Sequence, residues 1–75
     1  MKRYRNRNGH SGVRAYESGP GYIKVRFANG DTYVYDDRIP GARAVARMQA
    51  LAAAGRGLST YIAQHVRERY ARKES

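Results

Sequence analysis

The strongest constraint on this chain is the segment from Tyr22 to Tyr35. Ile23, Val25 and Phe27 alternate there with Tyr22, Lys24 and Arg26, the two-residue period of a strand with one apolar face. Asn29-Gly30 follows, a pair that tolerates the positive φ a tight hairpin needs. Asp31 to Tyr35 then supplies the return strand, with Thr32, Tyr33, Val34 and Tyr35 all strand-favouring. Two registers fit this hairpin. A two-residue loop at Asn29-Gly30 sets Phe27 opposite Thr32 and puts Tyr33 and Tyr35 beside Lys24 and Arg26. A three-residue loop, Ala28-Asn29-Gly30 with a glycine bulge, shifts the pairing by one and turns every return-strand side chain to the other face. The second register gathers Ile23, Val25, Phe27, Tyr33 and Tyr35 on one side. It is preferred, because a small domain needs that apolar area, at about 25 cal/mol per Å² buried.

Around the hairpin the pattern changes twice. Val13-Arg14-Ala15-Tyr16 alternates, and Glu17 to Gly21 reads as a turn, giving a three-stranded antiparallel meander. Asp36 to Pro40 ends the sheet, with Pro40 suited to the first turn of a helix. Ala44, Val45, Met48, Leu51 and Ala52 recur at helical spacing until Gly55 and Gly57 stop them. Ser59 is a candidate N-cap for a second helix carrying Tyr61, Ile62, His65, Val66, Arg69 and Tyr70 on one side. The fold expected is α+β, ordered βββαα, with both helices on one face of the sheet. Residues 1–12 contain Tyr4 as their only sizeable apolar group among Lys2, Arg3, Arg5 and Arg7, so they are expected to form a flexible basic arm. Residues 13–72 form the single domain, and 73–75 a short tail.

Length and composition bound the rest. Seventy-five residues leave room for one domain and one core. No cysteine is present, which removes disulfides, thiolate nucleophiles and cysteine zinc sites and suits a reducing cytoplasm. The basic start lacks an apolar run behind it, so no secretory signal is expected, and no apolar stretch approaches the ~20 residues that span a bilayer. Fifteen Lys and Arg against six Asp and Glu give a formal charge of +9, which favours polyanion partners. Twelve of those cations are arginine. GC-rich codon usage accounts for part of that arginine, but not for the scarcity of acids.

Between Tyr16 and Ile62 the chain resembles the KTSC domain, named for its place at the C-terminus of some lysyl-tRNA synthetases and found also as a stand-alone bacterial protein. The matching residues are Ile23, Val25 and Phe27, then Asn29-Gly30, the central Tyr33-Val34-Tyr35, the Ile39-Pro40 step, and Gly55, Leu58 and Ile62. Ala53 stands where that family usually has serine, and Ser59 where it usually has asparagine. The resemblance implies a domain of unknown function, with RNA binding suggested by the company the family keeps.

Catalytic constellations are missing from the sequence. His10 lies in the arm and His65 mid-helix, Ser59 has no base near it, and Asp36-Asp37 reads as a helix-entry turn. Gly55-Arg56-Gly57 lacks the Lys and Ser/Thr of a phosphate loop. No enzyme activity, cofactor, metal or small-molecule substrate is expected. The basic groups point elsewhere. Lys24 and Arg26 share a strand face, Arg43 and Arg47 a helix face, and Arg56 and Arg67 follow. Forked, permanently charged donors of this kind hold phosphate, and Tyr33 and Tyr35 are candidates for stacking on unpaired bases. These eight are the candidate nucleic-acid-binding residues. The expected function is a small module that binds RNA rather than duplex DNA, mainly through phosphate and with weak sequence specificity. The alternative is an accessory domain docking on an acidic protein. Membrane binding through the arm is disfavoured, because the arm has no bulky apolar face.

Overall fold

The computed structural model describes residues 1–6 and 12–74. Val13–Gly19 (β2), Tyr22–Phe27 (β3) and Thr32–Asp36 (β4) form the expected antiparallel meander. The hairpin adopts the three-residue loop. Ile23 pairs with Tyr35 and Val25 with Tyr33. The Phe27 N–H donates to the Asp31 carbonyl at 2.8 Å and the Gly30 N–H to the Phe27 carbonyl at 2.9 Å. Gly30 has a φ of 94°, a conformation a side chain would resist. A bulge between Val13 and Ala15 leaves Arg14 as the extra residue of β2.

With Lys2–Arg3 (β1) at one edge and Arg72–Lys73 (β5) at the other, the sheet has five strands in the order β1-β2-β3-β4-β5, where the sequence predicts three. Both additions come from segments read as a free arm and as a helix end with its tail. Lys2–Arg3 (β1) pairs with β2 through Lys2 opposite Tyr16 and Arg3 opposite Ala15. Tyr4 follows, 3% exposed, its N–H donating to the Arg14 carbonyl and its hydroxyl accepting the Leu58 N–H at 3.3 Å. One buried aromatic ring contributes about 3 kcal/mol, enough with two strand pairings to offset ordering a few residues. Arg5 then crosses Gly55, where an added Cβ would lie 2.6 Å from the Arg5 Cβ. The expected flexible arm is therefore corrected for residues 2–5; residues 7–11 lie outside the described residues. At the other edge Arg72–Lys73 (β5) pairs with β4.

The helices differ from expectation at their ends. Pro40 stands before the first helix, not in its first turn. The Asp36 carboxylate accepts the Arg38 and Ile39 N–H groups, each at 3.0 Å, and holds Pro40 in a turn. Ala42–Ala54 (α1) begins after Gly41 and ends at Gly55, whose φ is 77°. The second helix is short. Leu58–Tyr61 (α2) starts after Gly57, with no side-chain cap from Ser59, and runs into a wide π-helical turn at Ile62–Val66. Arg67 ends it at a φ of 54°. The helical pattern read through Tyr70 loses to the open edge of β4: Ala71 donates to Val34 and Glu74 to Thr32, both at 2.7 Å. Tyr70 meanwhile packs on Tyr33, ring centroids 4.6 Å apart.

The core lies between the sheet and the helices. Tyr16, Ile23, Val25 and Tyr35 from the sheet meet Val45, Met48 and Ala52 of α1 and Leu58, Ile62 and Val66 beyond it. Gln49 on α1 donates to the Gly19 and Tyr22 carbonyls at 2.9 and 2.8 Å, which fixes the helix over the first hairpin.

Candidate nucleic-acid interface

The sheet separates the sequence-predicted site residues. Alternation turns Lys24 and Arg26 away from Ile23 and Val25, so they lie on the outer face, opposite the helices. Arg43 and Arg47 are exposed on α1, which covers the inner face. One surface does not hold all four.

Lys24 and Arg26 are also engaged. Glu74 lies 3.3 Å from the Lys24 ammonium and 3.4 Å from the Arg72 guanidinium. The Lys24 hydrogen bond, with Arg72 behind it, holds the Glu74 carboxyl below its usual range. Arg26 donates to the Thr32 hydroxyl at 3.2 Å, and Tyr22 to Glu17 at 2.9 Å. That bond is the main cause holding the Tyr22 phenol above its usual range. Toward the β5 edge the outer face thus pairs Lys24 and Arg72 with Glu74, while Arg26 meets a neutral hydroxyl.

Tyr33 and Tyr35 lie on the inner face, away from Lys24 and Arg26. Tyr35 is 1% exposed, and burial, with Tyr33 and Tyr70 nearby, pushes its phenol up to about 12. Tyr33 is half-buried, 5.7 Å from Phe27 and 4.6 Å from Tyr70 between ring centroids, with its hydroxyl donating to Asp31. Both belong to the core and its rim.

Of the remaining candidates, Arg43, Arg47 and Arg56 lie on α1 and the loop after it, and Arg67 stands apart. Arg43 and Arg47 stand one turn apart on α1, exposed. Arg47 opens onto a shallow groove between α1 and α2, with Leu51, Thr60, Tyr61, Gln64 and His65. Gly57 lines the same groove, with exposed Arg56 just before it. Arg5 packs on Gly55, the residue preceding Arg56, and shares a second groove with Arg3 and the bulged Arg14. Exposed arginines thus lead from the β1 edge, where Arg3 shares the outer face with Ala15 and Arg26, through Arg5 at Gly55 to Arg56 and α1; these form a basic track. Arg67 is exposed at the end of the π-helical turn. Among the described residues, ion pairs engage Lys24, Arg72 and Lys73 and none of the track arginines.

Acid placement explains the contrast. The six acids stand at 17, 31, 36, 37, 68 and 74. Residues 1–16 and 38–67 carry none, and every arginine of the track comes from those two stretches. Sequence reasoning misses Arg3 and Arg5 because the arm reads as free of the domain, and Arg14 because the strand pattern of Val13 to Tyr16 does not show the bulge. It also passed over Tyr61, Gln64 and His65, although the four-residue spacing of Tyr61 and His65 was visible. Their rings lie 4.9 Å apart at 36°.

Among the described residues no helix is long and apolar enough to cross a membrane. Comparison with known protein families, with curated proteins and with solved structures finds no match for this chain.

Proposed function

We propose that this domain binds single-stranded RNA through the basic track of Arg3, Arg5, Arg14, Arg43, Arg47 and Arg56. The observation that carries the reading is the segregation of charge: six exposed arginines drawn from acid-free stretches, none neutralised by a described carboxylate. Guanidinium groups spread along a surface suit a phosphate backbone better than one compact anion. Among the described residues no long helix offers a row of side chains for a duplex major groove: α1 buries Val45, Met48 and Ala52, and α2 is a single turn. Single strands are the better fit. Contacts to phosphate give weak sequence preference. The resemblance to KTSC domains belongs to the same proposal, as does action by binding rather than catalysis.

The test is a titration of short labelled RNAs at several salt concentrations, beside duplex DNA and a heteropolymeric acidic protein. Each neutralised phosphate contributes about −0.7 to the slope of log K against log salt on a single strand, so six arginines give about −4. Joint replacement of Arg43 and Arg47 by alanine weakens binding on the order of tenfold and flattens the slope by about 1.4. Replacement of Lys24 and Arg26 leaves that slope nearly unchanged. Equal affinity for the acidic protein would move the assignment to an acidic protein partner. Absence of RNA binding at low salt would remove it.

A further inference from the structure

The groove beside Arg47 holds more than charge. Tyr61 and His65 stack at 4.9 Å and 36°, Tyr61 half-buried and His65 exposed. Gln64 and Thr60 stand beside them, both exposed. The π-helical turn sets this arrangement, and such turns recur where a helix carries a function. Its last backbone conformation is strained: Arg67 has a φ of 54° and a ψ of −120°, outside the regions a side chain adopts freely. The strain is held by Val66, fully buried just before it, and by the return toward β5.

We infer that the Tyr61–His65 pair is a stacking platform for one unpaired base, with Arg47 holding the adjacent phosphate and Gln64 facing the base edge. This rests on the RNA-binding reading above and adds a base site to it. An aromatic surface with a flanking guanidinium and amide is the usual chemistry for a splayed nucleotide. The prosaic role for such a pair is helix support, since side chains four apart touch on any helix. The two roles separate in experiment.

The probe is a short single-stranded RNA, compared with the same strand made abasic throughout, on the intact chain. Stacking of one base gives the normal strand about tenfold higher affinity than the abasic one. His65→Ala removes that preference while leaving the salt slope unchanged, because a stacked base releases no counterions. His65→Phe restores it. In the RNA complex the His65 ring protons move upfield, read by NMR. Loss of thermal stability in His65→Ala with the base preference intact would assign the pair to helix support and overturn the platform. RNA binding by the parent chain with equal affinity for the abasic strand would overturn it too, leaving the phosphate track standing. No binding of either strand would remove both.

Discussion

The outer face toward the β5 edge and the arginine track that leads from the β1 edge to α1 are both basic in sequence, yet they present different chemistry. On the sheet, antiparallel pairing brings Glu74 beside Lys24 and Arg72, and each cation has a partner. On the track, Arg5 and Gly55 bring together two parts distant in sequence, and residues 1–16 and 38–67 carry no acid. Net charge is a property of the chain, but free charge is a property of a surface. Strand pairing mixes signs toward the β5 edge, and chain crossing concentrates one sign beyond the β1 edge.

The comparison breaks most readily at the hairpin register, because the alternative would move Tyr33 and Tyr35 out beside Lys24 and Arg26 and make the outer face a stacking site. Tyr35→Ala is therefore expected to cost about 3–5 kcal/mol, as for large aromatic truncations in cores. Urea unfolding measures it. A loss under about 1 kcal/mol would restore the sheet face as the ligand surface.

Alkali gives a smaller test of the same burial. An unfolded tyrosine ionises near 10.0 and folded Tyr35 near about 12, so the folded state favours the neutral phenol. Its contribution is complete below pH 10 and is lost as pH rises from about 10 to 12, amounting to about 2–3 kcal/mol. The urea midpoint followed through that window should fall, and Tyr35→Phe should flatten the decline. An unchanged decline in the phenylalanine variant would mean that Tyr35 ionises as freely folded as unfolded.

The smallest effect sharpens the electrostatic side. Glu74→Gln releases Lys24 and Arg72, pairs near the surface that contribute little to stability. It should leave the unfolding midpoint nearly unchanged, tighten RNA binding about twofold and steepen the salt slope by up to about 1.4. An unaltered slope would mean that the outer face is silent for a reason other than neutralisation.

Much of the frame was legible locally. The alternation of Tyr22–Phe27, the glycine at position 30 and the stripe of Val45, Met48 and Ala52 depend on periods of two and of three to four residues, which neighbours in sequence impose. Arg43 and Arg47 were legible as one exposed pair for the same reason. What failed was the status of the ends. Tyr4 reads as an isolated ring in a charged arm until the core offers it a site beside Leu58. Arg72 and Lys73 read as helix until β4 presents an unpaired edge. The distribution of paired cations is hidden from the sequence in the same way, since it depends on where the acids land.

The sequence by itself determined one α+β domain, its hairpin, its first helix and a large positive charge, because these follow from local period and composition. Tertiary structure alone decided that the sheet has five strands, that Tyr35 is core, and that Arg5, which shares a groove with Arg3 and Arg14, packs on Gly55 beside Arg56. The physical reason is that edge pairing, burial of a lone ring and neutralisation of a charge are gained from distant residues. No window along the chain contains both partners.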